Sequence, residues 1–344
     1  MKFSDRVRIP ICVLPSASAS AARVAKVVAP PHMPTLEDGP TASVASFSAG
    51  CVRWLSSNAK LFLEIAEQAS GHSHPPQRVS GYKVLGEIGL MLTVCQRGAK
   101  SAGSGDFQEI LSAFETSVGT IRLPTEDPSS SLRFLLGVTL ALEVNGLNSD
   151  RFREASDRIL RHNLLHLLNQ TPWGIVSLTY FLDRCGIRHG LPSFEELYSW
   201  SILRSRPPLH FLSTHELYAL SHLIFFFGDF GGNSAFFTRR PDHKALSTYI
   251  DHLTATCLIE GDWDLMGEFL IGYECICVDQ SPMRDLAWRH ILQHQLPDGQ
   301  IDVPRRILKK NGLSGNSQID TFERHYHQTR VGIIASSLYA QRFH

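Results

Sequence analysis

The 344-residue chain has no surplus of charge of either sign: Lys+Arg and Asp+Glu number 33 each. That balance excludes the broad positive field with which proteins hold nucleic acid, and no polybasic block is present to hold an anionic membrane. Long apolar runs are missing too. The longest, around Leu223 to Phe227, ends at Gly228 and Asp229, far short of the ~20 residues that a bilayer span needs. The seven cysteines are odd in number and thinly spread, which does not suit a disulfide framework. Cys95, Cys257, Cys275 and Cys277 fall inside apolar segments, so buried reduced thiols and a soluble, cytoplasmic protein are expected. Cys275 and Cys277 point about 200° apart on a helix, which excludes a C-x-x-C redox pair or zinc knuckle between them. Also absent are a G-x-S-x-G elbow, a P-loop and a G-x-G-x-x-G turn after a strand.

Residues 1–45 lack helical period and are dominated by Ala, Ser and Pro, as in Ser16 to Ala22. Such a segment buries too little apolar surface to offset its ordering entropy, so a disordered leader is expected before a domain at 46–344. Lys2, Arg6 and Arg8 are similar to a secretory n-region, but Pro10 and Pro15 interrupt the apolar stretch behind them. Met33 is an alternative start.

From Ser48 onward the composition is globular, with 43% hydrophobic and 19% charged residues, and apolar positions recur every three or four residues. The spacing predicts helices at 49–69, 82–97, 105–118, 131–144, 150–168, 172–184, 193–203, 214–228, 242–258, 263–278, 281–296 and 327–342. They alternate. The first of each pair carries a charged face, as in Asp150 to Arg158, and the second is apolar almost all round, the mark of a buried helix. The expectation is an all-α fold, an (α/α)6 toroid of six helical hairpins, with an open solenoid or an irregular bundle as alternatives.

The turn Gln295 to Gln300 carries Q-x-x-D-G, which resembles the repeat turn of α/α toroids such as class II terpene cyclases and protein prenyltransferase β subunits. Tyr326 to Gln341 resembles the last inner helix of those β subunits more closely. That resemblance implies a zinc-ligating His at His327 and an Asp-x-Cys ligand pair at Asp262 and Asp264. Asp264 stands where the family has Cys, so the implied site is oxygen-rich, and Fe(II) or Zn(II) are both open as the divalent metal. If the inner helices run parallel, the start of the helix at Thr214 brings His215 to the same rim as a fourth metal ligand. His222, two turns after His215, and Glu268, one turn after Asp264, would sit deeper and handle protons as the catalytic pair.

Each residue also has a plain reading. Asp262 and Asp264 could cap a helix, His215 could be a hydrogen-bonded surface imidazole, and His222 a satisfied core histidine. The functional expectation is a metal-dependent enzyme acting on a small, partly apolar molecule or a modified peptide, in natural-product biosynthesis by similarity to uncharacterised actinobacterial toroid proteins. The alternatives are a metal-free acid catalyst similar to class II terpene cyclases, and a non-catalytic scaffold for a peptide or protein partner.

Overall fold

The computed structural model describes residues 40–70, 81–97, 105–123, 128–161, 171–304 and 317–343. Residues 1–39 of the expected leader and residues 305–316, among them Arg305, Arg306, Lys309 and Lys310, lie outside them. Among the described residues the fold is all-helical, and the only β-type pairing is an isolated antiparallel bridge between Gln295 and Ile301. The helices are α1 (Pro40–Ser57), α2 (Leu61–Ser70), α3 (Gly81–Arg97), α4 (Gly105–Thr120), α5 (Pro128–Val144), α6 (Asp150–Arg161), α7 (Pro172–Arg184) and α8 (Phe194–Trp200). They continue as α9 (Ile202–Ser205), α10 (Thr214–Phe227), α11 (Ala235–Thr238), α12 (His243–Glu260), α13 (Trp263–Cys275), α14 (Pro282–Gln293) and α15 (Gln318–Phe343).

Local chemistry explains where these boundaries depart from the periodicity. The span 49–69 is two helices because α1 stops at Ser57, where Asn58 Nδ2 donates to the Trp54 carbonyl at 2.8 Å. α1 also begins at Pro40, inside the segment expected to be the leader, and Val44 is already buried. The span 193–203 breaks at Ser201, which ends α8 and whose hydroxyl caps α9 through the Arg204 amide. α15 starts at Gln318, well before the predicted 327, because Ser317 and Asp320 exchange hydrogen bonds that fix an earlier first turn.

Six of the apolar helices pack in a repeating order: α3 on α5, α5 on α7, α7 on α10, α10 on α13, α13 on α15, and α15 back on α3. Contacts fix their direction. Tyr218, Ser221 and Ile224 of α10 meet Asp264, Glu268 and Gly272 of α13 in turn, so these two helices are parallel. The same ordered matching holds for Asp264 with His327 and Gly267 with Val331, and for Glu87 with His327 and Cys95 with Ser337. It holds again for Gly86 with Phe134 and Gly89 with Ala141, for Arg133 with Trp173 and Gly137 with Phe181, and for Trp173 with His222 and Tyr180 with Phe226. The other helices pack against this set: the charged α6 on α5, α12 and α14 on α13, and α1, with Arg53 as its one charge, on α15.

α13 and α15 approach closely at one residue. A Cβ on Gly267 would stand 2.9 Å from Val331 Cγ1, nearer than non-bonded carbons tolerate, so glycine there lets the Val331 side chain pack directly on the α13 backbone. That approach brings two carboxylates of α13 to a histidine of α15.

Candidate functional site

The start of α13 is set by a left-handed Gly261, with φ of 65°, that ends α12, and by Asp262, whose side chain accepts from the Leu265 amide at 3.4 Å. Asp264 follows in the first turn and Glu268 one turn later, and both are buried. In α15, His327 lies in the third turn rather than at the helix start, which carries it to the same depth.

The His327 imidazole lies among three carboxylates. Its Nδ1 is 3.2 Å from Glu87 Oε2, while its Nε2 lies 3.5 Å from Asp264 Oδ1 and 3.6 Å from Glu268 Oε1. Carboxylates on both sides favour the imidazolium and outweigh the burial that opposes it, so the His327 pKa rises to about 9. Arg330 Nη2 lies 3.3 Å from the same Nδ1 and Arg330 Nε 3.7 Å from Glu87 Oε2. With His327 protonated, the first of these is an approach of two cations that Glu87 holds in common. Glu87 accordingly stays far below the usual carboxylate range, against the opposing effect of burial, and Tyr326 hydrogen-bonds it.

The two α13 carboxyls diverge in acidity. Burial raises the Asp264 pKa, helped by the neighbouring charge of Glu268 and opposed by His327 and the Tyr218 hydroxyl. Glu268 faces the same burial, but His222, His327 and the Ser221 hydroxyl hold its pKa below the usual value. Asp264 is thus the group biased to keep a proton and Glu268 the one biased to lose it. Asp264 Oδ2 accepts a short hydrogen bond from Tyr218, whereas its Oδ1 is buried with no hydrogen-bond partner.

Glu268, His222 and Arg330 open onto a cavity of about 20 Å³ whose remaining wall is apolar, including Leu90, Phe225 and Ile334. That volume holds about one water molecule.

Of the expected metal ligands, Asp264 and His327 are brought together. Asp262 is buried as the cap of α13. His215 is exposed in the first turn of α10, where its charge acts on Glu216, and is not brought into contact with Asp264 or His327. The reason is local: Ser213 and Glu216 form a capping box, and His215 between them is left exposed. Among the described residues no group of three or more His, Cys, Asp or Glu is arranged to hold an ion. Of the three ligands that the prenyltransferase resemblance implies, Asp264 and His327 meet and Asp262 caps α13, while His215, expected from the parallel helices, stands apart.

Of the expected proton-handling pair, Glu268 lies in the centre, and His222 stands at its edge with Nδ1 3.9 Å from Glu268 Oε2 and 2.6 Å from the Tyr218 carbonyl. Sequence reasoning missed Glu87, Tyr218, Ser221 and Arg330. Glu87 had a readable signal, a lone acid within the apolar run Val84 to Val94; Arg330 lies three residues after His327 and so shares its face.

No described helix is long and apolar enough to cross a membrane. The six cysteines among the described residues are all free thiols. Comparison with curated proteins and with solved structures finds no match. A family model matches residues 48–337, from within α1 to within α15, and the chain therefore belongs to the family described as a domain of unknown function, DUF6895.

Proposed function

We propose that this chain is an enzyme built as an (α/α)6 toroid, whose Asp264, Glu268 and His327 move a proton on a small, partly apolar molecule. The toroid reading is supported by six parallel helices whose packing order returns from α15 to α3. One observation carries the functional reading: a half-buried imidazole holds Glu87 on one nitrogen and both α13 carboxyls on the other, beside an apolar cavity. Taking ionised groups out of water costs several kcal/mol each, and apolar residues of similar volume would fill this space at no such cost. Two acids pushed apart in strength, one of them at a cavity wall, are what proton transfer needs.

Glu268, ionised and facing the cavity, is the base. His327 donates its Nε2 proton toward both carboxyls and steadies whichever carries the negative charge. Asp264, one turn away, holds the proton that is returned, and Tyr218 fixes its orientation. Glu87 holds the imidazole through Nδ1 so that Nε2 keeps facing α13. His222 stands where it can pass protons between Glu268 and the cavity. The free thiols suit a reducing compartment, in line with a cytoplasmic enzyme.

The test is incubation of the purified protein with a small-molecule extract of its host cells, followed by untargeted mass spectrometry. Wild type is expected to consume at least one partly apolar compound that Glu268→Gln, folded and of equal melting temperature within a few degrees, leaves intact. Identical profiles for the two proteins would overturn the proposal.

A further inference from the structure

The far end of the cavity is closed by a turn whose backbone is unusual. Asp229, Phe230 and Gly231 are three successive residues with positive φ, at 48°, 47° and 82°. A side chain in that region costs roughly 1–2 kcal/mol per residue, and glycine would avoid it. The turn already contains Gly228, Gly231 and Gly232, yet position 230 carries a phenylalanine.

The Phe230 amide donates to the Phe225 carbonyl at 2.9 Å, which folds the chain back over the end of α10 and directs the ring inward. There it is 2% exposed and packs on Phe225, Phe226 and Tyr180, with ring centroids 5.5, 5.8 and 6.1 Å away. The same ring lines the cavity whose other end is Glu268 and His222.

The strain is held from outside the turn. Arg97 of α3 donates to the Asp229 carbonyl at 2.8 Å, Tyr180 of α7 donates to Asp229 Oδ1 at 2.9 Å, and Arg184 of α7 lies 3.4 Å from Asp229 Oδ2. The carboxylate is also hemmed in: a Cβ on Gly232 would stand 2.7 Å from Asp229 Oδ2.

We infer that Phe230 is the floor of the substrate cavity and the residue that determines how far an apolar part of the substrate can extend from the acid cluster. The other cavity walls are helical side chains tied into the packing of α3, α10, α13 and α15. Phe230 comes from a turn, and its ring can be removed without opening a helix. Strain of this kind persists only where surrounding structure holds it. Here the Asp229 lock supplies that hold, and the ring defines the depth of the site. With Phe230 in place the space beside Glu268 holds about one water molecule, so only the reacting end of a substrate reaches it, and a smaller residue admits an apolar end. This inference rests on the reading of the cavity as the substrate site.

Its test reads the cavity rather than turnover, so it stands or falls apart from the mass-spectrometric comparison. Phe230→Gly keeps the turn, relieves φ at position 230 and empties the floor. Benzene is the probe, because dry apolar cavities of aromatic size bind it. Phe230→Gly is expected to bind benzene at least about tenfold more tightly than wild type, with binding that shifts the imidazole NMR signals of His222. A folded Phe230→Gly protein that binds benzene no better than wild type, or binds it without moving His222, overturns the inference. If Phe230→Gly does not fold, Phe230→Leu is read with xenon. A gain in xenon affinity accompanied by a His222 shift supports the floor, and no gain overturns it.

Discussion

Two ionic clusters flank the cavity, one through Glu268 and Arg330, which line it, and one through Asp229, whose neighbour Phe230 lines it, and they are built differently. At Asp229 one carboxylate faces two arginines and a tyrosine, both of its oxygens lie within 3.4 Å of a donor, and the backbone beneath it is strained. At His327 three carboxyls share one imidazole and one arginine, an Asp264 oxygen has no hydrogen-bond partner, and the acids differ in strength. A satisfied network rigidifies, whereas an unsatisfied one leaves capacity for a ligand or a proton. The comparison assigns holding to the first cluster and chemistry to the second.

The largest effect that this assignment predicts is on stability at the Asp229 end. Asp229→Ala leaves Arg97, Arg184 and the Tyr180 hydroxyl without their common partner and releases two strained residues from their lock. Removing one partner of a buried ion pair costs about 3–5 kcal/mol, and the partial exposure of Arg97 and Arg184 puts the expected loss near the lower figure. Urea unfolding measures it; a loss under about 1 kcal/mol would mean that the lock does not hold the turn.

At the other end the expected effect is smaller and depends on pH. The folded-state pKa of His327, raised to about 9, lies above its ordinary value of 6.5. Its protonated form therefore contributes stability that is fully present below about pH 6.5 and is lost as pH rises through about 9. His327→Gln should be less stable than wild type at pH 6, and the two curves should converge by about pH 10. Parallel curves across that range would show that His327 is not held as an imidazolium. The depressed Glu87 acts in the opposite window: its contribution is present above the ordinary carboxylate pKa and is lost as pH falls below it.

Gly267→Ala tests the geometry that brings the second cluster together. The added Cβ would meet Val331 at 2.9 Å and Ile291 at 3.2 Å, both buried and on different helices, so α13 must move away from α15. Overpacking of this kind costs about 1–3 kcal/mol. The separation should also lower the His327 pKa toward its ordinary value, which an NMR titration would follow; an unchanged titration would mean that the two helices need not touch there.

The alternation of charged and apolar helices in the sequence reported which helices lie inside, because a helix apolar on all faces has to be buried. It reported Asp264 and His327 as neighbours through a resemblance in α13 and α15. It marked Glu87 as a lone acid in an apolar run and Arg330 as sharing the face of His327, but not that they meet, because which charges meet is decided by helix rotation and depth. Depth was misread for His327 because Ser317 starts α15 early. Asp229 ends the longest apolar run in the sequence, and it stands in the turn after α10. The inward Phe230 depends on a left-handed backbone at a non-glycine position, for which the sequence carries no local signal.

The smallest effect concerns His215. A ligand expectation placed it beside Asp264 on the argument that parallel helices present their first turns at one end. The helices do run parallel, but the capping box between Ser213 and Glu216 orients the first turn of α10, and the next side chain inward is Tyr218, which takes the position beside Asp264. His215→Ala should change stability by no more than about 0.5 kcal/mol, the range of exposed positions away from such features. It should also leave the His327 titration where it stands in wild type. Tyr218→Phe sharpens the contrast, because it removes the hydroxyl from a buried carboxyl and should raise the Asp264 pKa further while the helix stays capped. If His215→Ala moves the His327 titration as far as Tyr218→Phe does, then the imidazole reaches the cluster in solution and the division between the capping turn and the acid–base centre fails.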